Sequence, residues 1–249
     1  MALCEIRLSA QNALQRMTSF MAIVPEKTAG PFPVLYLLHG LSDDHTTWIR
    51  RTSIERYVAG MPLIVVMPDC ERGWYTDAAA IPTFAFETFI LDDLLGFVDS
   101  TFPTRASRGG RAIAGLSMGG YGAFKLALKH PDIFCAAVSL SGALKITERI
   151  SNVNEVRDRE MRLIFGEELR DSEDVWKLAE SVDPAIRPAL WFDCGTEDFL
   201  IEHNRATHEH FQKLGIPHHY SERPGEHSWA LWDAVIQEAL GFVRAQLDI

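Results

Sequence analysis

A doubly wound α/β fold on an eight-stranded, mostly parallel sheet is what this sequence predicts, and three observations predict it. Short continuous apolar runs recur along the chain and alternate with stretches of helical periodicity. One of them, Arg111 to Leu116, runs straight through Gly115-Leu116-Ser117-Met118-Gly119 into a helical pattern that ends at His130-Pro131. The chain's 249 residues suit one domain, residues 1–249, able to bury about three quarters of its unfolded surface without staples.

Residues 3–9 and 18–24 are short β-favouring runs, the second closed by Pro25, and predict an opening antiparallel pair. Pro33 to Leu38 is apolar throughout, as expected for a strand covered on both faces, and ends at His39-Gly40-Leu41. A helical stretch through Trp48, Ile54 and Tyr57 leads to a second such strand, Leu63 to Met67. The loop Gly73-Trp74-Tyr75-Thr76-Asp77 precedes a helix near 84–101, with Phe86, Phe89, Ile90, Leu94 and Phe97 at helical spacing. After the Ser117 segment come a strand from Phe134 to Leu140 and a more polar stretch, 145–187. That stretch is expected to form a cap-like insertion over the strand ends, with a helix near 173–182. A strand at 189–193, a helix near 201–214, a last strand near 217–222 and a C-terminal helix complete the pattern.

Composition narrows the function. The 47% hydrophobic and 23% charged content is that of a soluble globular protein. The net charge of −10 disfavours nucleic acid or an anionic membrane surface as partner. No apolar run approaches the roughly 18 residues a membrane span needs. Cys4, Cys70, Cys135 and Cys194 show neither a C-x-x-C pair nor zinc spacing, so buried free thiols and a cytoplasmic location are expected. The histidines at 203, 208 and 210 form no i, i+4 pair, and no metal is expected there.

The chemistry gathers around Ser117. A serine on a tight strand-to-helix turn is a nucleophile elbow: small residues at 115 and 119 let the strained turn form, and the helix start aims free N–H groups at a reacting carbonyl. Such a hydroxyl needs a base to take its proton, usually histidine, and a carboxylate to orient that base. In doubly wound hydrolases these follow in the order Ser, acid, His, each past a strand end. His227, in the turn after the last strand, is the base candidate; Glu197 and Asp198 are adjacent acid candidates, of which one should reach it. The oxyanion of the tetrahedral intermediate needs two donors. The N–H of Met118 is one; that of Leu41, beside the close-approaching Gly40, is the other. Trp48, Trp74, Tyr75 and Trp229 lie on loops flanking the strand ends and are candidate pocket residues, as is Gly40.

With these residues in view, the chain resembles the esterase D-like branch of the α/β-hydrolases, and within it the tributyrin-esterase-type carboxylesterases (acetyl esterases). The likeness is carried by Val34 to Gly40, Gly73 to Asp77, Gly115 to Gly122, Cys194 to Leu200 and Glu226-His227. It implies Ser117 as nucleophile, Asp198 rather than Glu197 as acid and His227 as base. It also implies hydrolysis of short-chain acyl esters, no metal or organic cofactor, and often a homo-oligomer. S-formylglutathione hydrolases and feruloyl esterases are similar relatives. Leu116 and Tyr121 stand where the former tend to have histidines. Acyl transfer to a sugar or lipid, or a catalytically dead scaffold used for binding, are further alternatives from the same fold.

Overall fold

The computed structural model describes residues 1–26, 29–146 and 155–249. Among the described residues eight strands form one sheet: β1 (Ala2–Ala10), β2 (Arg16–Val24), β3 (Val34–Leu38), β4 (Ile64–Pro68), β5 (Arg111–Leu116), β6 (Ala136–Leu140), β7 (Ala189–Gly195) and β8 (His219–Arg223). Their order is β1-β2-β4-β3-β5-β6-β7-β8. The β1–β2 and β2–β4 pairs are antiparallel and every later pair is parallel. The chain steps outward from β3 to β4 and then returns to β5 on the other side of β3. The ends of β3 and β5 therefore flank the crevice where open α/β sheets bind ligands.

The helices are α1 (Thr47–Arg51), α2 (Ile54–Tyr57), α3 (Phe86–Thr88), α4 (Leu95–Thr101), α5 (Met118–Lys129), α6 (Glu155–Phe165), α7 (Val175–Ser181), α8 (Ile201–Lys213) and α9 (Trp229–Leu247). Alternation along a strand sends successive side chains to opposite faces. Val34, Tyr36 and Leu38 join the core under Val98, Phe124, Leu178 and Phe211 of α4, α5, α7 and α8. Leu35 and Leu37 join the other core, under Trp48, Ile54, Trp232 and Val235 of α1, α2 and α9. The helix expected near 84–101 is not uniform: Phe89–Leu94, between α3 and α4, is a π-helical turn. Asp93 in that turn accepts from Ala13 N and Asn12 Nδ2 in the β1–β2 turn at 3.0 and 2.7 Å.

Of the predicted insertion, 147–154 lies outside the described residues. The described part is docked. Met161, Ile164 and Phe165 enter the first core, and the carbonyls of Ile164 and Leu163 accept from Ala79 N and Ala80 N at 2.8 and 3.0 Å. A buried ionic cluster ties this part to α5. Lys125 is fully buried; its ammonium donates to Glu87 (2.5 Å), Glu173 (3.1 Å) and the Tyr75 carbonyl (2.6 Å). Lys129 bridges the same two carboxylates, His130 bonds Glu87 at 2.9 Å, and the Thr76 hydroxyl donates to Glu173. Burial alone would raise both carboxyl pKa values. For Glu87 the His130 bond and the Lys125 and Lys129 contacts override it. For Glu173 the Lys125 charge and the Thr76 bond do so. Both titrate below the usual glutamate range.

Candidate active site

Ser117 sits between β5 and α5 with φ +52° and ψ −113°, a strained conformation for any residue with a side chain. The strain is held by crowding. A Cβ at position 115 would lie 2.3 Å from the Gly119 carbonyl oxygen, and one at 119 would lie 2.6 Å from the carbonyl oxygens of Leu38 and His39. Only glycine fits either place, so strand, elbow, helix and the end of β3 close on one another. The elbow is pinned further by Ser117 N–H donating to Leu140 O at 2.8 Å and Ala143 N–H donating to Ser117 O at 3.2 Å.

Past the end of β7, Asp198 is 2% exposed. Its Oδ1 accepts from Leu200 N at 2.8 Å, and its Oδ2 lies 2.7 Å from His227 Nδ1. Burial pushes this carboxyl up, but the His227 hydrogen bond and charge, the Leu200 amide and the Ser141 hydroxyl hold it below its ordinary value. An ionised carboxylate can only accept, so Nδ1 of His227 carries a proton and Nε2 presents a lone pair. That Nε2 is 3.0 Å from Ser117 Oγ. Residues 110 and 29 positions apart in the chain thus form one hydrogen-bonded row. The β7 and β8 loops bring this about: Glu197 N–H donates to Gly225 O at 3.1 Å, and the exposed Glu197 carboxylate accepts from Gly225 N. Of the two adjacent acids, Asp198 reaches the imidazole and Glu197 clamps the loop that carries it.

The predicted oxyanion loop stands beside this row. Met118 opens α5, where an N–H has no acceptor within the helix. In the β3 loop, Asp43 N–H closes a turn on Gly40 O at 3.2 Å, and that bond does not use the N–H of Leu41. What sequence reasoning missed is how the loop is fixed. His39, 1% exposed, accepts from Cys70 N at Nε2 (3.0 Å) and donates from Nδ1 to Gly40 O (2.8 Å). The bond from Cys70 N–H needs a lone pair on Nε2, so the ring is a neutral two-ended strut, and burial lowers its pKa in the same sense. The only sequence signal was a histidine closing an apolar run.

Three of the expected pocket aromatics are corrected. Trp48, Trp74 and Tyr75 are at most 1% exposed, because their polar atoms or rings are turned into the protein. Trp48 donates to Leu38 O at 3.0 Å and packs edge-on against Trp229; Tyr75 OH donates to His39 O at 2.8 Å; Trp74 lies against Tyr121 and Phe165. They support the loops from beneath. Gly40 is likewise buried and shapes the turn. Trp229 is half-buried, packed on Trp48 and Trp232. Phe199, which sequence reasoning passed over, is 65% exposed with its ring 4.4 Å from that of His227. Of the histidines in which no metal was expected, His208 shares a 2.8 Å hydrogen bond with His218 and His210 stacks on Trp176, all of them half-buried. Cys70 and Cys194 are buried, whereas Cys4 and Cys135 are half-buried. Among the described residues no group of three or more His, Cys, Asp or Glu is arranged to hold a metal, and no helix is long and apolar enough to cross a membrane.

An elbow serine at the switch point of a doubly wound sheet, hydrogen-bonded to an imidazole, defines a serine hydrolase of the α/β-hydrolase class. The comparisons give the same class. The model of the family described as "Putative esterase" matches residues 11–243. This chain belongs to that esterase family and is a carboxylic ester hydrolase. It is 28% identical to an acetyl esterase of Caldicellulosiruptor saccharolyticus over the full length of both proteins. Among solved structures it is similar to the fluorophosphonate-binding serine hydrolase F (FphF) of Staphylococcus aureus, with TM-score 0.86 and 29% identity over 99% of this chain and 98% of that one. An S-formylglutathione hydrolase (FrmB) from Staphylococcus aureus matches with TM-score 0.84 and 29% identity over the same shares.

Proposed function

We propose that this chain hydrolyses short-chain acyl esters through an acyl-enzyme, with Ser117 as nucleophile, His227 as general base and acid, and Asp198 as the carboxylate that orients it. The observation that carries this is the row Ser117 Oγ to His227 Nε2 (3.0 Å) and His227 Nδ1 to Asp198 Oδ2 (2.7 Å), at the end of β5. As Oγ attacks the ester carbonyl, His227 takes its proton at Nε2, and Asp198 stabilises the imidazolium. The N–H groups of Leu41 and Met118 receive the oxyanion. His227 then returns the proton to the departing alkoxide, and a water repeats the sequence on the acyl-enzyme. Every proton transfer passes through His227 Nε2, which takes it from Ser117 Oγ or water and gives it to the leaving alkoxide or to Ser117, while the amides only donate hydrogen bonds.

The full-length likeness to an acetyl esterase supports a small acyl group. The comparably complete likeness to an S-formylglutathione hydrolase supports a thioester as second substrate class, because the same acyl-enzyme forms whether oxygen or sulfur leaves. A reducing compartment belongs to the same proposal, supported by four unpaired cysteines. The test is a substrate panel (acetyl, butyryl, hexanoyl, feruloyl and S-formylglutathione) with fluorophosphonate labelling of the native protein and Ser117→Ala. Acetyl or butyryl ester turnover and labelling should both be present in the native protein and lost in the variant. Labelling retained without Ser117 would refute the assignment.

A further inference from the structure

The geometry points to Arg72 as a positioning residue that sets the oxyanion loop and couples it to helix α6; this rests on the esterase reading of Ser117 and Leu41. Leu41 lies between Gly40 and Ser42, and Ser42 has φ +71°, the left-handed region that a residue with a side chain occupies only when held there. The first half of the turn is held by His39, gripping Gly40 O through Nδ1 while Cys70 N–H donates to its Nε2. The second half is held from the same segment: two residues after Cys70, the Nη1 of Arg72 donates to Ser42 Oγ. Residues 70–72 therefore reach both sides of the peptide whose N–H would receive the oxyanion.

Arg72 is itself fixed from outside the sheet. Its Nε and Nη2 fork onto the two carboxylate oxygens of Glu160 in α6, Nη2 to Oε2 at 2.6 Å. A planar guanidinium can serve Ser42 and Glu160 in two directions at once, which a lysine ammonium on a flexible stem does not do with fixed geometry. The bridge also has a place to act, since Leu41, Ser42, Arg72, Val156 and Glu160 line a groove of about 670 Å³ next to the oxyanion loop. Arg72 is 43% exposed, so the pair contributes little to folding. Its contribution lies in where Leu41 N–H points, and small displacements of such a donor are costly in rate.

The experiment compares the native chain with Arg72→Ala, Arg72→Lys, Glu160→Gln and the double variant Arg72→Ala/Glu160→Gln. Substrates are p-nitrophenyl acetate and an ester whose alcohol carries a carboxylate; the inhibitor is a neutral trifluoromethyl ketone that adds to the serine. Arg72→Ala should lower kcat/KM about tenfold on both esters and weaken the ketone by the same factor, a fraction of what losing a whole donor costs. Arg72→Lys should not restore either. Glu160→Gln should fall between, and the double variant should match Arg72→Ala, because Glu160 acts through the guanidinium. A loss confined to the anionic ester would make Arg72 a leaving-group ligand and overturn the inference. Unchanged kinetics, or a loss that follows a lowered melting temperature, would overturn it as well. Failure of fluorophosphonate to label Ser117 in the native chain would instead strike the esterase reading beneath it, so the two failures are told apart.

Discussion

At its first residue helix α5 leaves Ser117, half-buried, facing an imidazole through a single hydrogen bond; roughly two turns later the same helix carries Lys125, sealed among two carboxylates and a carbonyl. The first end is incomplete: in the proposed mechanism the Ser117 hydroxyl meets substrate, and the amides of Met118 and Leu41 receive the oxyanion. The second end is complete, with every Lys125 proton directed at an oxygen. A helix whose position must be fixed within fractions of an ångström, while its first turn stays unsatisfied, takes its anchorage from its other end. Chemistry and rigidity are thereby separated along one element.

That separation can be broken or sharpened by measurement. The largest expected effect is on rate: Asp198→Asn should lower kcat by about 10⁴-fold by presenting His227 in the wrong tautomer. The melting temperature should hardly move. A variant that unfolds instead would show that the carboxylate is a structural support. Next comes Lys125→Ala, which leaves Glu87 and Glu173 buried without their central cation. Urea titration should show a loss of about 3–5 kcal/mol, while kcat per folded molecule changes by less than about threefold, because no side chain of the Lys125 cluster bonds Ser117, His227 or Asp198 and the link through Tyr75 to His39 O is indirect. A rate loss as large as the stability loss would mean that the two ends are coupled.

The smallest effect is the pH dependence. Glu87 and Glu173 have folded-state pKa values below the ordinary 4.5, so the unfolded chain binds more protons as pH falls. Their stabilisation is full above the ordinary value and is lost as pH drops through the lowered folded ones. The melting temperature should accordingly fall below about pH 4.5, and Glu173→Gln should flatten that fall by removing one of the two carboxyls. An acid limb of equal steepness in this variant would place its origin elsewhere.

The active end was legible in the sequence because backbone geometry dictates it. Gly115 and Gly119 are required by the elbow, and His227 and the adjacent acids Glu197 and Asp198 sit just past strand ends whose apolar runs are unmistakable, the choice of Asp198 between the two coming only from the family resemblance. The anchored end was not. Lys125 stands between Phe124 and Leu126 like any helical lysine, and its burial depends on carboxylates 38 and 48 residues away in the chain. The pocket aromatics failed for a related reason. The sequence places Trp48, Trp74 and Tyr75 on the correct loops, but whether a ring faces inward or outward is decided by acceptors such as Leu38 O and His39 O. A local pattern fixes where the backbone goes more firmly than where a side chain points.

Glu173 belongs to the polar stretch yet completes the Lys125 cluster, where it also accepts from Thr76. For anyone reshaping substrate range by exchanging segments between relatives, that carboxylate marks a splice limit. A graft ending before Arg170 leaves the anchor with the recipient, whereas one running through Glu173 must import an equivalent acid or strand a lysine in oil.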